Sequence, residues 1–225
     1  MHSEESTPSQ FELFQSPTNR RGVITSLGLT GLAFAASSQG ALAFLSRRND
    51  DEPRVTVETS ASRDPDITGV DESKLPADWM RRHGRNVRAY ANFVDGLGLR
   101  TIRTHDVIAV HARQRGGLWN ELPPRKWWPR MGYTLRVVER IALEMNEPVT
   151  DIVSAYRSPA YNARCGGRRG SWHQANLALD VRLTSRASRV TRTARSLRDQ
   201  GLFKGGVGSY RNFTHIDARG ENVNW

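Results

Sequence analysis

Apolar residues recur at helical spacing in two long stretches of the chain and alternate with polar ones in another. From Trp79 to Val94, the side chains Val87, Tyr90 and Phe93-Val94 share one side, with Gly96 near the end, which predicts a helix. From Met131 to Asn146, Leu135, Val138, Ile141, Ala142 and Met145 repeat the same pattern until Pro148 stops it. Thr101–His111 is rich in β-branched Ile102, Val107, Ile108 and Val110 and reads as extended. Leu122-Pro123-Pro124 and Trp127-Trp128-Pro129 read as interruptions of regular structure. Val149–Tyr156 reads as a strand, followed by a short helix over Pro159–Cys165 that Gly166-Gly167 ends. Leu177, Leu179, Val181 and Leu183 alternate, so that strand buries one face and shows Ala178, Asp180 and Arg182 on the other. Ser188–Gln200 predicts a basic helix, and a glycine turn then leads to a last strand over Phe213–Arg219.

The first third of the chain follows none of these patterns. Residues 1–19 are polar, Arg20-Arg21 follows, and Val23–Ala36 is a moderately apolar run closed by Ala41-Leu42-Ala43. An arginine pair, a short apolar stretch and a small-x-small site form the pattern of a twin-arginine export signal over residues 1–43. Val23-Ile24-Thr25 stands where an aromatic and a leucine are more typical. Left uncleaved, the segment would associate the protein with the inner membrane; burial in a cytosolic fold is the other reading. Residues 44–75 are charged and hydroxyl-rich, as expected of a polar linker.

Charge separates the two halves further. Residues 1–75 carry 7 Lys/Arg against 11 Asp/Glu, and residues 76–225 carry 26 against 12. A domain so basic favours polyanionic surroundings, such as nucleic acid, anionic lipid or an acidic cell-wall polymer. No aromatic RNA-binding signature or Cys/His finger spacing is present, so nucleic acid is not expected as a partner. Cys165 is the only cysteine, which excludes an intrachain disulfide and a thiolate zinc site. Arg189, Arg192, Arg195 and Arg198 form a stripe on one helix, read as a solvated face or as a contact for an anionic polymer.

His173, Asp180 and His215 are a natural three-ligand set for a catalytic zinc whose fourth position is left open. Alternation puts Phe213, His215, Asp217 and Arg219 on one strand face and Asp180 on another strand. If those strands are neighbours, Asp180 and His215 converge while His173 arrives from the preceding loop. Taken singly, either histidine reads equally as an ordinary surface or core residue. His105 and His111, with Asp106 beside them, share strand parity, but no third ligand accompanies them.

The wider setting of the three residues is Ser154-Ala155-Tyr156-Arg157-Ser158-Pro159, Tyr161-Asn162, Ser171-Trp172-His173, Ala178-Leu179-Asp180, Gly205-Gly206-Val207-Gly208-Ser209-Tyr210 and Thr214-His215-Ile216-Asp217. In this order the segments resemble the zinc D-Ala-D-Ala carboxypeptidases and murein endopeptidases of the M15 type, over residues 128–225. The resemblance implies an α+β fold of the hedgehog/DD-peptidase kind, a small antiparallel sheet carrying a zinc site and flanked by helices. It implies that His173, Asp180 and His215 hold Zn2+ and that peptidoglycan stem peptides or cross-links are the substrate. It places Arg157 near the cleft, to anchor a substrate carboxylate or steady an oxyanion, with a structural ion pair as the other reading. Ser171 is expected to hydrogen-bond near the site or to cap a turn, and Tyr210 and Trp172 to wall the cleft or to belong to the core.

One feature departs from the better-studied relatives. Their general base is an acidic residue or histidine shortly before the last ligand, whereas Arg211, Asn212, Phe213 and Thr214 stand here. Asp217 is the available carboxylate, either as the base or as the partner that orients a ligand. Residues 76–127 form an N-terminal extension of the catalytic domain in this reading. The alternatives are a zinc-retaining binding module without catalysis, as in hedgehog signalling domains, and a basic envelope adhesin. The sequence leaves open the oligomeric state and the bond cut.

Overall fold

The computed structural model describes residues 69–225. The proposed export signal and most of the polar linker lie outside those residues. Helix α1 (Ala77–Asp95) starts just after Pro76 and buries Trp79, Val87, Tyr90, Ala91 and Val94. Trp79 donates its indole N–H to the Asn120 carbonyl at 2.9 Å, so the ring is buried without an unpaired donor.

Thr101–His111 is not extended. It forms helix α2 (Thr104–Ala109) and a 3₁₀ turn over Val110–Ala112. Val107, Ile108, Val110 and His111 are all buried, so packing on several sides overrides the β-branched preference of the segment. The shared strand parity of His105 and His111 disappears with the strand. His111 Nδ1 donates to the Val107 carbonyl at 2.8 Å, and among the described residues no acidic group joins it in a metal-sized cluster.

A two-residue hairpin follows, β1 (Gln114–Arg115) with β2 (Leu118–Trp119), turning on Gly116 and Gly117. Both glycines have positive φ, 54° and 78°, as this tight turn requires. Helix α3 (Trp128–Met145) begins where Trp127-Trp128-Pro129 had read as an interruption. Pro129 lies in the first turn, where a missing N–H breaks no helical hydrogen bond, so it starts the helix. Asn146 ends α3 in the left-handed conformation, φ 52°.

The rest is a five-stranded sheet with helices on it. Strands β3 (Val149–Ser154), β4 (Ala178–Leu183), β5 (Gly206–Ser209), β6 (Thr214–Asp217) and β7 (Val223–Asn224) lie in the order β3-β4-β6-β5-β7. All neighbours are antiparallel except β5 and β7, which are parallel. Helix α4 (Pro159–Arg164) follows β3, capped by Ser158, whose Oγ accepts from the Tyr161 N–H at 3.4 Å. Helix α5 (Ala187–Asp199) joins β4 to β5.

Helices α3 and α5 pack against β4 and β6. Leu135, Ile141, Leu179, Val181, Val190, Ala194, Val207 and Ile216 belong to one continuous core that also takes in α1 and α2. Each large aliphatic side chain buried there contributes about 1.5–3 kcal/mol. The alternation expected of β4 holds for its inward face but not for its other one. Ala178 and Asp180 are as buried as Leu179, because Arg157, His173 and His215 close over the carboxylate. Only Arg182 is exposed.

The arginine stripe of α5 is also divided. Arg189 and Arg192 are exposed, whereas Arg198 is buried and donates to the Gly205 and Val223 carbonyls at 3.2 and 3.1 Å. Arg195 donates to the Val207 and Trp225 carbonyls, both at 3.1 Å. Two of the four residues thus fasten the sheet edge instead of forming a solvated face. No helix among the described residues is long and apolar enough to cross a membrane.

Candidate metal centre

Strand register brings the first two residues together. Asp180 lies directly opposite His215 in the β4–β6 pair, and its Oδ1 is 2.7 Å from His215 Nδ1. His173 comes from the turn before β4 and presents Nε2 at 3.3 Å from Asp180 Oδ2. The two imidazole rings meet edge to face, with centroids 5.1 Å apart. One ligand atom from each of the three buried residues lies within 4.8 Å of the others.

The turn carrying His173 is fastened from outside the sheet. Asn176 adopts φ 59° and donates its side-chain amide to the Trp127 carbonyl at 2.9 Å. Arg130 donates to the Ala175 carbonyl and Thr134 to the Leu177 carbonyl, both from α3. From the other side, the Arg157 N–H donates to the His173 carbonyl at 3.2 Å. His173 itself donates from Nδ1 to the Ala155 carbonyl at 2.7 Å. A carbonyl can only accept, so this contact fixes the tautomer and leaves Nε2, the atom facing Asp180, free to bind.

His215 is oriented in a different way. Its Nε2 lies 3.0 Å from Asp217 Oδ2, two residues along the same strand face. Asp217 is fully buried, and both its oxygens are engaged. Oδ1 accepts from the Gly206 N–H at 3.0 Å, the Arg219 N–H at 3.2 Å and Arg219 Nε at 2.8 Å. Oδ2 accepts from Arg219 Nη2 at 2.6 Å as well as from His215.

The electrostatics follow these contacts. Burial opposes the charge on Asp180, but His173 and His215 outweigh it and hold the carboxyl well below the usual carboxylate range. Burial likewise opposes the charge on Asp217, and Arg219, His215 and the Gly206 N–H outweigh it in the same direction. For His215 burial favours the neutral ring, but Asp180 and then Asp217 raise its pKa overall. A second imidazole proton and a cation are alternative partners for the Nδ1–Asp180 contact. Two imidazole nitrogens and one carboxylate, with the tautomer of one ring fixed by a carbonyl and the other ring backed by a carboxylate, fit zinc.

The remaining expected residues fall at different distances from this centre. Arg157 reaches it, donating from Nη2 to Asp180 Oδ2 at 3.3 Å and from Nε to Ser154 Oγ at 2.7 Å. Ser171 belongs to the turn: its N–H donates to the Arg168 carbonyl, and its own carbonyl accepts from the Gln174 N–H. Tyr210 is exposed and stacked on Phe213, with ring centroids 4.4 Å apart, and among the described contacts it meets Trp225 and none of the three candidate ligands.

Trp225 is the neighbour that sequence reasoning missed, its ring centroid 5.1 Å from that of His215. Gly206 and Gly208 carried the available signal. They alternate on one face of β5, as glycines do where something approaches the backbone closely. Here it is an indole: a Cβ on Gly208 would lie 2.5 Å from Trp225 Nε1 and Cε2.

A protein-family model described as Peptidase M15 matches residues 104–217, about half of the chain, and the span includes His173, Asp180 and His215. No curated protein and no solved structure matches the chain.

Proposed function

The chain belongs to the peptidase M15 family, and from that premise we propose that it is a zinc peptidase of the bacterial cell wall, hydrolysing peptide bonds in peptidoglycan stem peptides or cross-links. The observation that carries the proposal is the convergence of His173, Asp180 and His215 with each imidazole already oriented by a second group. In this reading His173 Nε2, an Asp180 oxygen and His215 Nδ1 hold the ion. When bound, zinc supplies Lewis-acid polarisation of a carbonyl and lowers the pKa of water.

The protein's own groups have distinct tasks. Ala155 keeps the His173 proton on Nδ1, so the binding nitrogen stays free. Arg157 spends two donors on Ser154 and Asp180, and its remaining N–H groups are directed to a substrate carbonyl or carboxylate oxygen. Of the two roles the sequence left open for Asp217, the geometry supports orientation of His215. A buried carboxylate that accepts from Arg219, Gly206 and His215, with its pKa far below neutral, is poorly suited to collecting a proton.

That commitment of Asp217 also supports the second reading, a zinc-retaining module that binds cell wall without cutting it. Digestion of cross-linked muropeptides by the full chain, with zinc and after chelation, separates the two. Metal-dependent products establish the peptidase, and their masses name the bond. One zinc per chain with no product establishes the binding module, and no stoichiometric zinc overturns both. Export through a twin-arginine signal over residues 1–43, with membrane association if it is retained, belongs to the same proposal. Finding the mature protein only in the cytosol would refute that part.

A further inference from the structure

Arg219 and Trp225 connect the β7 edge of the sheet to the candidate metal centre. The Arg219 guanidinium carbon lies 5.3 Å from the Trp172 ring centre and 5.0 Å from that of Trp225. The same guanidinium grips Asp217 through Nε on Oδ1 and Nη2 on Oδ2, the two-pronged geometry that a carboxylate matches best. Asp217 in turn accepts from His215 Nε2. Trp172 immediately precedes His173 in the chain, so the stack touches the flanks of both imidazole-bearing segments.

Trp225 is itself firmly placed. Its indole N–H donates to the Tyr210 hydroxyl at 3.0 Å. Its carbonyl accepts from the Ser209 N–H at 2.8 Å and from Arg195 at 3.1 Å. β7 pairs with β5 through Gly206–Val223 and Val207–Asn224, and Arg198 binds the Val223 carbonyl from beneath. The glycines complete the fit. A Cβ on Gly206 would lie 2.5 Å from Asp217 Oδ2, 2.8 Å from Arg219 Nη2 and 2.9 Å from Trp225 Cη2, so only a bare backbone lets all three groups gather there.

We infer that Trp225 and Arg219 are positioning residues for the metal centre: the indole holds the guanidinium, the guanidinium holds Asp217, and Asp217 fixes the ring of His215. The inference rests on the proposal that His215 holds zinc. Arginine suits the middle of this relay because it stacks on aromatic faces and binds a carboxylate bidentately, two properties that lysine lacks together. Trp225 also leaves 42% of its surface exposed beside His215, so the relay can be altered without opening the core.

The test is titration of the full chain, stripped of metal, with Zn2+ alone against a chromophoric chelator. Wild type, Trp225→Ala, Trp225→Phe and Arg219→Lys are compared, with the melting temperature of each metal-free protein measured separately. Trp225→Ala and Arg219→Lys should each weaken zinc binding about 10-fold or more, the size usual for groups that orient a metal ligand. Trp225→Phe, which keeps an aromatic face for the guanidinium, should recover most of that loss. Arg219→Lys tests the relay without removing an aromatic side chain, should Trp225→Ala fold poorly. Zinc affinity equal to wild type in both variants, whatever happens to the melting temperature, overturns the inference and leaves the peptidase proposal standing. A wild-type chain that binds no zinc removes the proposal on which it rests.

Discussion

Asp180 and His215 are 35 positions apart in the chain yet directly opposite each other in the β4–β6 register, with side chains meeting at 2.7 Å. The contact joins rigid neighbouring strands, so its length is set by the sheet and not by a flexible loop. His173 is the member supplied by a turn, and that turn is the part most heavily tied down by hydrogen bonds from α3.

His173→Ala and Asp180→Asn should each abolish stoichiometric zinc binding and lower any peptidase activity by at least about 100-fold. Metal content of the purified variants, followed by muropeptide digestion, checks this. A variant that retained full zinc occupancy would remove that residue from the ligand set.

Asp217→Asn should bind zinc about 10–100-fold more weakly, as expected when the group backing a histidine ligand is lost. Activity should recover substantially when zinc is supplied in excess. If instead the variant binds zinc like wild type, loses activity and loses the acidic limb of its pH–rate profile, Asp217 is the base and not an orienting residue.

The elements that are legible in the sequence are those with a regularly spaced apolar face. The Leu135-Val138-Ile141-Ala142 repeat and the Leu177–Leu183 alternation each turn an apolar face to the core, and a helix and a strand form there, although α3 begins earlier, at Trp128, and the second face of β4 is buried as well. Residues 101–111 were misread because their β-branched side chains are buried on several sides, where composition no longer reports a period. Pro129 reads as a breaker from the sequence alone, although its position in a first turn makes it a starter. The candidate metal cluster was legible because its members are distinctive residue types, Asp180 and His215 at predictable strand positions and His173 in the turn just before β4. Trp225 was not, since the alternating Gly206 and Gly208 mark a close approach to β5 without naming the group that makes it, and the two-residue strand β7 that brings the indole there is too short to show a period.

His111 gives the folded domain a specific acid sensitivity. Burial lowers its pKa to about 4 from the ordinary value of 6.5. Between those values the unfolded chain binds a proton that the folded one refuses, so stability is full above about pH 6.5 and falls as the pH drops towards 4. The loss is at most about 3 kcal/mol. Urea unfolding at pH 7 and pH 4.5 should show a smaller difference for His111→Phe than for wild type. An identical difference would show that the ring does not control it.

Gly208→Ala should destabilise the domain by about 1–3 kcal/mol, because the added methyl would lie 2.5 Å from the Trp225 ring and must push it aside. Pairing the substitution with Trp225→Ala should recover part of the loss, as the space is then vacant. Strictly additive losses in a double-mutant cycle would show that the indole is not what the methyl meets.

The three prospective ligands also fix an order of events in folding. In the unfolded chain they are spread over residues 173–215, and no short segment can assemble them. The β4–β6 ladder, a contact distant in sequence, has to form before the cluster exists. An ion that recognises only the finished ladder then acts as a thermodynamic latch. Free ligand at 100 times its dissociation constant adds about 2.7 kcal/mol to stability by mass action. The stability of the folded chain is in that case set partly by its surroundings: where zinc is scarce, a larger fraction of the chains has the same sheet open.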